Sequence, residues 1–125
     1  MVDIAYLMAA DVEDGPAISL SGTLETATAY AYVETTVAAE GTATVDVQPG
    51  DAGDVVLFMM YSSVYDTLSY TVDGGGSIDF DGPICIVGSG PATLLGETCN
   101  TLVFTNGSTD YDATIRILAA WVAED

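Results

Sequence analysis

Apolar and polar residues alternate along much of this chain, which is the pattern of β-strands with one buried face. The alternation is clearest in residues 18–24, 42–47 and 68–72. Two continuous apolar runs, at 55–61 and 84–87, are typical of strands buried on both faces. Turn-forming residues separate the segments about every eight to twelve positions, as in sandwiches and barrels. The sequence therefore predicts an all-β fold: a jelly-roll-like antiparallel β-sandwich of about eight to ten short strands, with an immunoglobulin-like order as the alternative.

Residues 101–122 carry the clearest pattern, and we predict that they form the central hairpin of the fold. Two apolar runs flank Asn106 and Gly107, a dipeptide suited to a two-residue turn because both residues can adopt a positive φ. In the second run a period of two places Ile115, Ile117, Ala119 and Trp121 on one face, and on the other face Arg116, Leu118, Ala120 and Val122. Because both faces are largely apolar, we expect a second sheet to cover one and a loop or a neighbouring subunit to cover the other.

The whole chain, residues 1–125, is predicted to be one domain, since its length suits a single core and no composition shift marks a linker. Apolar residues also alternate at the N-terminus, up to a break rich in acids, Gly and Pro at 11–16. Residues 1–10 are therefore predicted to form an N-terminal arm or an edge strand.

The charge is extreme: 19 acidic residues stand against one basic residue and no histidine, for a formal net charge of −18. Half of the residues are hydrophobic, so the chain does not have the composition of a disordered protein. A compact molecule with this charge repels itself in dilute salt, whereas at 1 M salt the screening length falls to about 3 Å. We therefore expect a protein that works in high salt.

The same charge excludes several kinds of partner and location. With a single cation the chain cannot neutralise a row of phosphates, so nucleic acid is not an expected partner, and an anionic membrane repels it. No stretch is long and apolar enough for a transmembrane helix, and the N-terminus lacks the basic start of a signal peptide. We expect synthesis in the cytoplasm of a cell without export by the secretory route.

The sequence contains few of the residue types that catalysis or cofactor binding requires. With no histidine and no lysine, the usual general bases and activated nucleophiles are missing, which leaves only a glycosidase-like carboxylate pair. We predict that the chain is not an enzyme and binds no cofactor.

Asp73, Asp79 and Asp81 lie in a Gly-rich turn whose oxygens suit Ca²⁺, but the EF-hand spacing is absent. A solvated acidic edge is the favoured interpretation, so no metal is expected.

Three further residues attract attention. A bridge between Cys85 and Cys99 closes a loop of about 15 residues, worth about 3 kcal/mol in the chain-entropy model, and two buried thiols are the alternative. Arg116, the sole basic residue, lies in an apolar strand. We expect it to anchor an acidic cluster at or near a subunit interface that also includes Trp121, because a charge there needs a partner. The alternative is an edge position with the guanidinium in water.

The Gly-rich hairpin at 72–81 and the closing LVFTN and DATIRILAAW segments resemble small virion surface proteins of tailed viruses, the head-decoration or turret β-sandwich proteins. The composition resembles that of proteins from salt-in haloarchaea and their viruses. The resemblance implies a structural virion protein, a decoration or cement subunit that forms a symmetric oligomer, a homotrimer, on a capsid and contacts the major capsid protein or other virion proteins. The alternative is a carbohydrate- or host-surface-binding module of a tail or spike, whose tyrosines line the binding face.

Overall fold

The computed structural model describes residues 3–11, 13–24, 29–47, 55–88 and 100–122, which form ten β-strands and no helix. Every strand pairing among them is antiparallel, so the predicted all-β antiparallel class is confirmed. The described part of the chain has no helix able to cross a membrane. The strands are β1 (Ile4–Asp11), β2 (Ala17–Leu24), β3 (Ala29–Val37), β4 (Thr42–Asp46), β5 (Val55–Ser62), β6 (Leu68–Val72), β7 (Ile78–Asp79), β8 (Ile84–Val87), β9 (Thr101–Asn106) and β10 (Ala113–Trp121).

The strands form three sheets. Sheet I has the order β3-β10-β5-β8, sheet II has the order β4-β9-β6-β7, and β1 and β2 form a separate two-stranded arm. The pairings are nested, because β3 pairs with β10, β4 with β9, β5 with β8 and β6 with β7. The first four strands of the two larger sheets thus pair with the last four in reverse order.

Sheets I and II share one hydrophobic core, which gives a sandwich-like arrangement. The continuous apolar run at 55–61 supplies Phe58 and Met60 from sheet I, and sheet II supplies Leu102 and Phe104. Phe80 lies in the same core, where Tyr65 and Tyr70 pack edge-on against its ring at centroid distances of 5.3 and 5.6 Å. Burial of each such side chain contributes about 1.5–3 kcal/mol, so this aromatic group is a principal source of cohesion between the sheets.

The prediction of a central hairpin at 101–122 is wrong. β9 lies in sheet II and β10 in sheet I, so the chain crosses between the sheets through residues 107–112. Among the described glycines only Gly74 and Gly88 have a positive φ, so Gly107 does not form the expected turn. Its backbone N–H donates instead to the carbonyl oxygen of Thr67 at 2.9 Å.

The side chain of Asn106 holds this crossing in place. Its Nδ2 donates to the carbonyl oxygens of Val37 and Tyr111 at 3.2 and 2.8 Å, and its Oδ1 accepts from the backbone N–H of Ser108 at 3.0 Å. Asn106 is 1% exposed, so these bonds form away from water.

The predicted alternation within β10 is confirmed. Ile115, Ile117 and Ala119 are fully buried toward sheet II, while Arg116 and Leu118 lie on the opposite, outer face of sheet I. The root of the arm, which consists of Ile4, Tyr6 and Leu24, covers one end of that outer face, at Ala120. Nothing in the described part of the chain covers the other end, around Arg116.

Candidate interaction surface

The arm is largely exposed. The sequence predicts an N-terminal arm or edge strand at residues 1–10, and residues 4–10 belong to β1 (Ile4–Asp11), which pairs with β2 from Ile4–Leu24 to Asp11–Ala17. At its root, Ile4, Tyr6 and Leu24 pack against sheet I. Beyond the root the apolar side chains face solvent, and the large ones are Leu7 (69% exposed), Ile18 (69%) and Leu20 (46%).

Local packing gives the arm its shape. Tyr6 lies opposite Gly22, and its ring crosses β2 at the glycine. The contact is close: a Cβ at residue 22 would stand only 2.6 Å from the tyrosine hydroxyl oxygen. An aromatic ring over a cross-strand glycine covers the bare backbone. A two-stranded ribbon is nevertheless marginally stable by itself in water, so the distal half of the arm lacks the support that the other strands have.

The uncovered end of sheet I carries an aromatic surface, which we call the outer patch. It consists of two cross-strand rows, Glu34–Arg116–Tyr61 and Tyr32–Leu118–Met59. Tyr32 is 55% exposed and Tyr61 is 44% exposed. Between the two tyrosines lies a hollow of about 180 Å³ that Leu118 and Met59 help to line. The patch is thus mostly apolar, with one charged pair at its side.

Arg116 is held within this patch by two neighbours. Its Nε lies 3.1 Å from Glu34 Oε2, its Nη1 donates to the Tyr61 hydroxyl at 2.9 Å, and its guanidinium carbon stands 5.9 Å from the Tyr61 ring centroid. The hydrogen bond with Tyr61, followed by the electrostatic interactions with Tyr61 and Glu34, raises the pKa of Arg116 above its ordinary value. The side chains of Arg116 and Glu34 are about half exposed, at 47% and 48%. In place of the expected acidic cluster, Arg116 therefore has one carboxylate and a tyrosine.

Trp121, the other predicted interface residue, is not near this pair. It lies at the end of β10 and packs, partly buried, against the main core between the sheets. Arg116 points from the opposite face of the same strand. The structure therefore separates the two residues, and an interface role for either one stays a prediction.

The candidate calcium ligands also have separate positions. Asp73 adopts a φ of 50°, and its carboxylate accepts from the backbone N–H groups of Asn100 and Thr101 at 3.0 and 2.7 Å. It thereby fixes a turn to the start of β9. Asp79 and Asp81 line an open polar hollow of about 450 Å³ together with Tyr65. Within the described ranges, no group of three or more acidic, His or Cys side chains is placed to hold a metal ion.

Cys85 is a free thiol on β8, partly buried, and opposite Met59 in the sheet. Burial raises the pKa of the Cys85 thiol, which disfavours the reactive thiolate. Cys99 lies outside the described residues, so the bridge between the two stays a prediction.

Reasoning from sequence missed the exposure of the arm and the partners of Arg116. The alternation of Ile18 and Leu20 with small polar residues indicated one apolar face, but not that this face is uncovered. One available signal was charge, because 4–10 and 17–24 contain no charged residue in a chain with 19 acids. Glu34 and Tyr61 come to lie beside Arg116 through the pairing of strands that are distant in the chain. No local sequence pattern indicates that pairing.

Comparison with protein-family models, with curated proteins and with solved structures finds no match to this chain. Its function is therefore inferred from the geometry and charge of the described residues.

Proposed function

We propose that this chain is a structural virion protein, a capsid decoration or cement subunit that assembles as a symmetric homotrimer on a viral shell in high salt. Its partners are further copies of itself and the major capsid protein or other virion proteins, and it has no catalytic role. The observation that carries the proposal is the arm: a ribbon whose segments 4–10 and 17–24 carry no charge and expose large apolar side chains, in a molecule with a net charge of −18. Exposed apolar surface of this kind is typical of subunit contacts.

The strand order supports the proposal at the level of the fold. We infer that the eight strands of sheets I and II form a jelly roll, because their nested pairings are those of a long antiparallel hairpin rolled into two facing sheets. Jelly rolls are common in viral capsid and lectin domains. Since one fold serves many functions, this order supports a capsid role without specifying it.

The working environment follows from the charge. Repulsion among 18 net negative charges opposes both folding and assembly in dilute buffer. Salt screens that repulsion and, when the anions are excluded from protein surfaces, also strengthens apolar contacts. An acid-rich subunit that joins its neighbours through the uncharged segments 4–10 and 17–24 of its arm is therefore suited to the surface of a particle in brine.

The copy number of the chain in purified particles tests the proposal. Quantitative mass spectrometry of virions kept in molar salt is expected to give a constant ratio to the major capsid protein that matches the lattice symmetry. A few copies per particle, or loss of the chain during purification in molar salt, contradicts a decoration role.

A second candidate function is binding of carbohydrate on a host surface, as part of a tail or spike. The observation that favours it is the open hollow of about 450 Å³ where Asp79, Asp81 and Tyr65 meet hydroxyl groups of neighbouring residues. Carboxylates and hydroxyls can bond to sugar hydroxyls while a tyrosine supplies an apolar face. Glycan-array binding in molar salt that is lost in Asp79→Asn and retained in Thr44→Ala, on the exposed surface of β4, would support this function.

A further inference from the structure

We infer that the distal half of the arm of one copy docks on the outer patch of a second copy. The inference rests on the proposed function, because it identifies the surfaces through which copies of the chain assemble. The partner is therefore this same chain, and the contact joins Ile18 and Leu20, which share one face of the ribbon, to the tyrosine-lined hollow between Tyr32 and Tyr61.

Charge selects the arm as the part that a like-charged copy can approach. The paired segments 4–10 and 17–24 contain no acid and no base; among the described residues, Asp11, Glu13 and Asp14 lie at the tip of the ribbon and Asp3 lies at its root. Two copies with 18 net negative charges each repel one another across most of their surfaces. A contact through the body of the arm adds apolar burial without bringing acids together.

Charge also selects the receiving surface. Glu34 is the only acid on the four strands of sheet I, and Arg116, the only base in the chain, is paired with it. Sheet I is therefore electrically neutral, whereas the strands of sheet II carry Asp46 and Asp79 with no base. The single cation of the molecule thus cancels the one acidic charge on the strands of sheet I, and Asp3 of the arm root lies at the Leu118 side of the patch.

A single copy already contains a contact of the proposed kind, between the arm and sheet I. Ile4, Tyr6 and Leu24 of the arm root pack on sheet I against Leu57 and Ala120. The outer patch continues this apolar surface along the same strands, toward Tyr61. A second arm laid on the patch therefore extends an existing contact between the same two kinds of surface.

The arm of the same copy does not occupy the patch. Its root sits at the Ala120 end of sheet I, and its distal residues Leu7 and Ile18 remain 69% exposed. Docking on a neighbour gives the ribbon the support that two strands alone lack. Because arm and patch are different surfaces, successive copies can close into a ring, which is consistent with the proposed trimer.

Cross-linking between two single-cysteine copies tests the inference. Both copies carry Cys85→Ser and Cys99→Ser; one adds Leu20→Cys in the arm and the other Tyr61→Cys in the patch. After mixing and mild oxidation in 3 M KCl, we expect a disulfide-linked heterodimer from this pair. A matched pair, Leu20→Cys with Thr44→Cys on the exposed surface of β4, is expected to give none.

Equal yields from the two pairs, or no heterodimer from the first, overturn the inference. Light scattering on the parent chain in the same buffer separates this failure from that of the proposed function. If the parent chain is an oligomer but the arm-to-patch cross-link is absent, the proposed assembly stands and only this contact is refuted. A monomer at every concentration removes both the proposed self-assembly and the contact.

Discussion

Arg116 and Glu34 lie directly opposite each other on neighbouring strands and form an ion pair of 3.1 Å that remains about half exposed to solvent. An exposed pair adds little to folding stability, because water and salt screen both charges. Its effect on the surface is larger, since it leaves sheet I without net charge. We therefore propose that the one basic residue of the chain serves the proposed assembly rather than the stability of the monomer.

Replacement of Arg116 by methionine tests this explanation. We expect Arg116→Met to melt within a few degrees of the parent in 1 M KCl, because the lost pair is exposed. Its oligomer is expected to be weaker and to dissociate at a higher protein concentration than that of the parent. The reason is that Glu34 is left unpaired on the docking surface and is desolvated on contact. Thermal melts and analytical ultracentrifugation measure the two effects separately.

The double variant Arg116→Met, Glu34→Gln is the control for charge. It removes both members of the pair, so the outer patch is again neutral and the oligomer is expected to return. Dissociation of the double variant to the same extent as Arg116→Met would show that the shape or the bonds of the arginine, and not its charge, matter. A large fall in melting temperature for either variant would contradict the minor role in folding.

The bonds of Asn106 across the sandwich make a second prediction. Asn106→Ala leaves the buried partners at Val37, Tyr111 and Ser108 without their bonds, and we expect the free energy of unfolding to fall by about 2–4 kcal/mol. Thr105→Ala, an exposed neighbour on the same strand, is expected to change it by less than about 0.5 kcal/mol. Denaturant unfolding in molar KCl compares the two. A similar small effect in both variants would mean that the crossing is held by other contacts.

Asn106 also shows which parts of the fold could be predicted from sequence. The alternation in β10 is a local property, so its buried and exposed faces were assigned correctly. The partner strands are not local: the side chain of Asn106 bonds to the backbone of Val37 and Tyr111 and so favours a crossing between sheets over a hairpin turn. Asn-Gly permits a tight turn but does not require one, and nothing near the dipeptide distinguishes the two outcomes.

The candidate site was less predictable than the fold for a similar reason. The importance of Arg116 was evident from composition, but its surroundings depend on which strands flank β10. Glu34 and Tyr61 are 82 and 55 residues away in the chain and become its neighbours only through strand register. The expectation of an acidic cluster came from the abundance of acids, but of the acids that the structure describes, only Glu34 lies on a strand of sheet I.

The aromatic group around Phe80 gives a third prediction. Phe80 is 1% exposed and contacts the rings of Tyr65 and Tyr70, so Phe80→Ala opens a cavity between the sheets. We expect a loss of about 3–5 kcal/mol in unfolding free energy. Ile78→Ala, two residues earlier and 46% exposed, is the matched control and is expected to lose less than about 1 kcal/mol. Comparable losses would place Phe80 outside the main core.

Cys85 gives a fourth prediction. It is a free thiol in the structure, and burial raises the pKa of that thiol, so little thiolate is present at pH 8. We expect iodoacetamide to label Cys85 more slowly in the folded protein than in the chemically unfolded, unreduced protein. Intact mass reports on the bridge directly: a mass two protons below that of the reduced chain, with no labelling after unfolding, would show that Cys85 is bonded to Cys99.

Salt dependence is the prediction with the widest consequence. The net charge of −18 has no internal compensation beyond the pair at Arg116, so repulsion in the folded state must be relieved by counterions. The screening length is about 10 Å at 0.1 M salt and about 3 Å at 1 M, and the unfolded chain, being more expanded, gains less from screening than the compact one. We therefore expect the melting temperature to rise steeply between 0.1 and 1 M KCl and more slowly up to 3 M. The same series in sucrose, which does not screen charge, is the control for preferential exclusion. A melting temperature that stays flat or falls in KCl would remove the high-salt setting, and with it the environment in which the proposed assembly works.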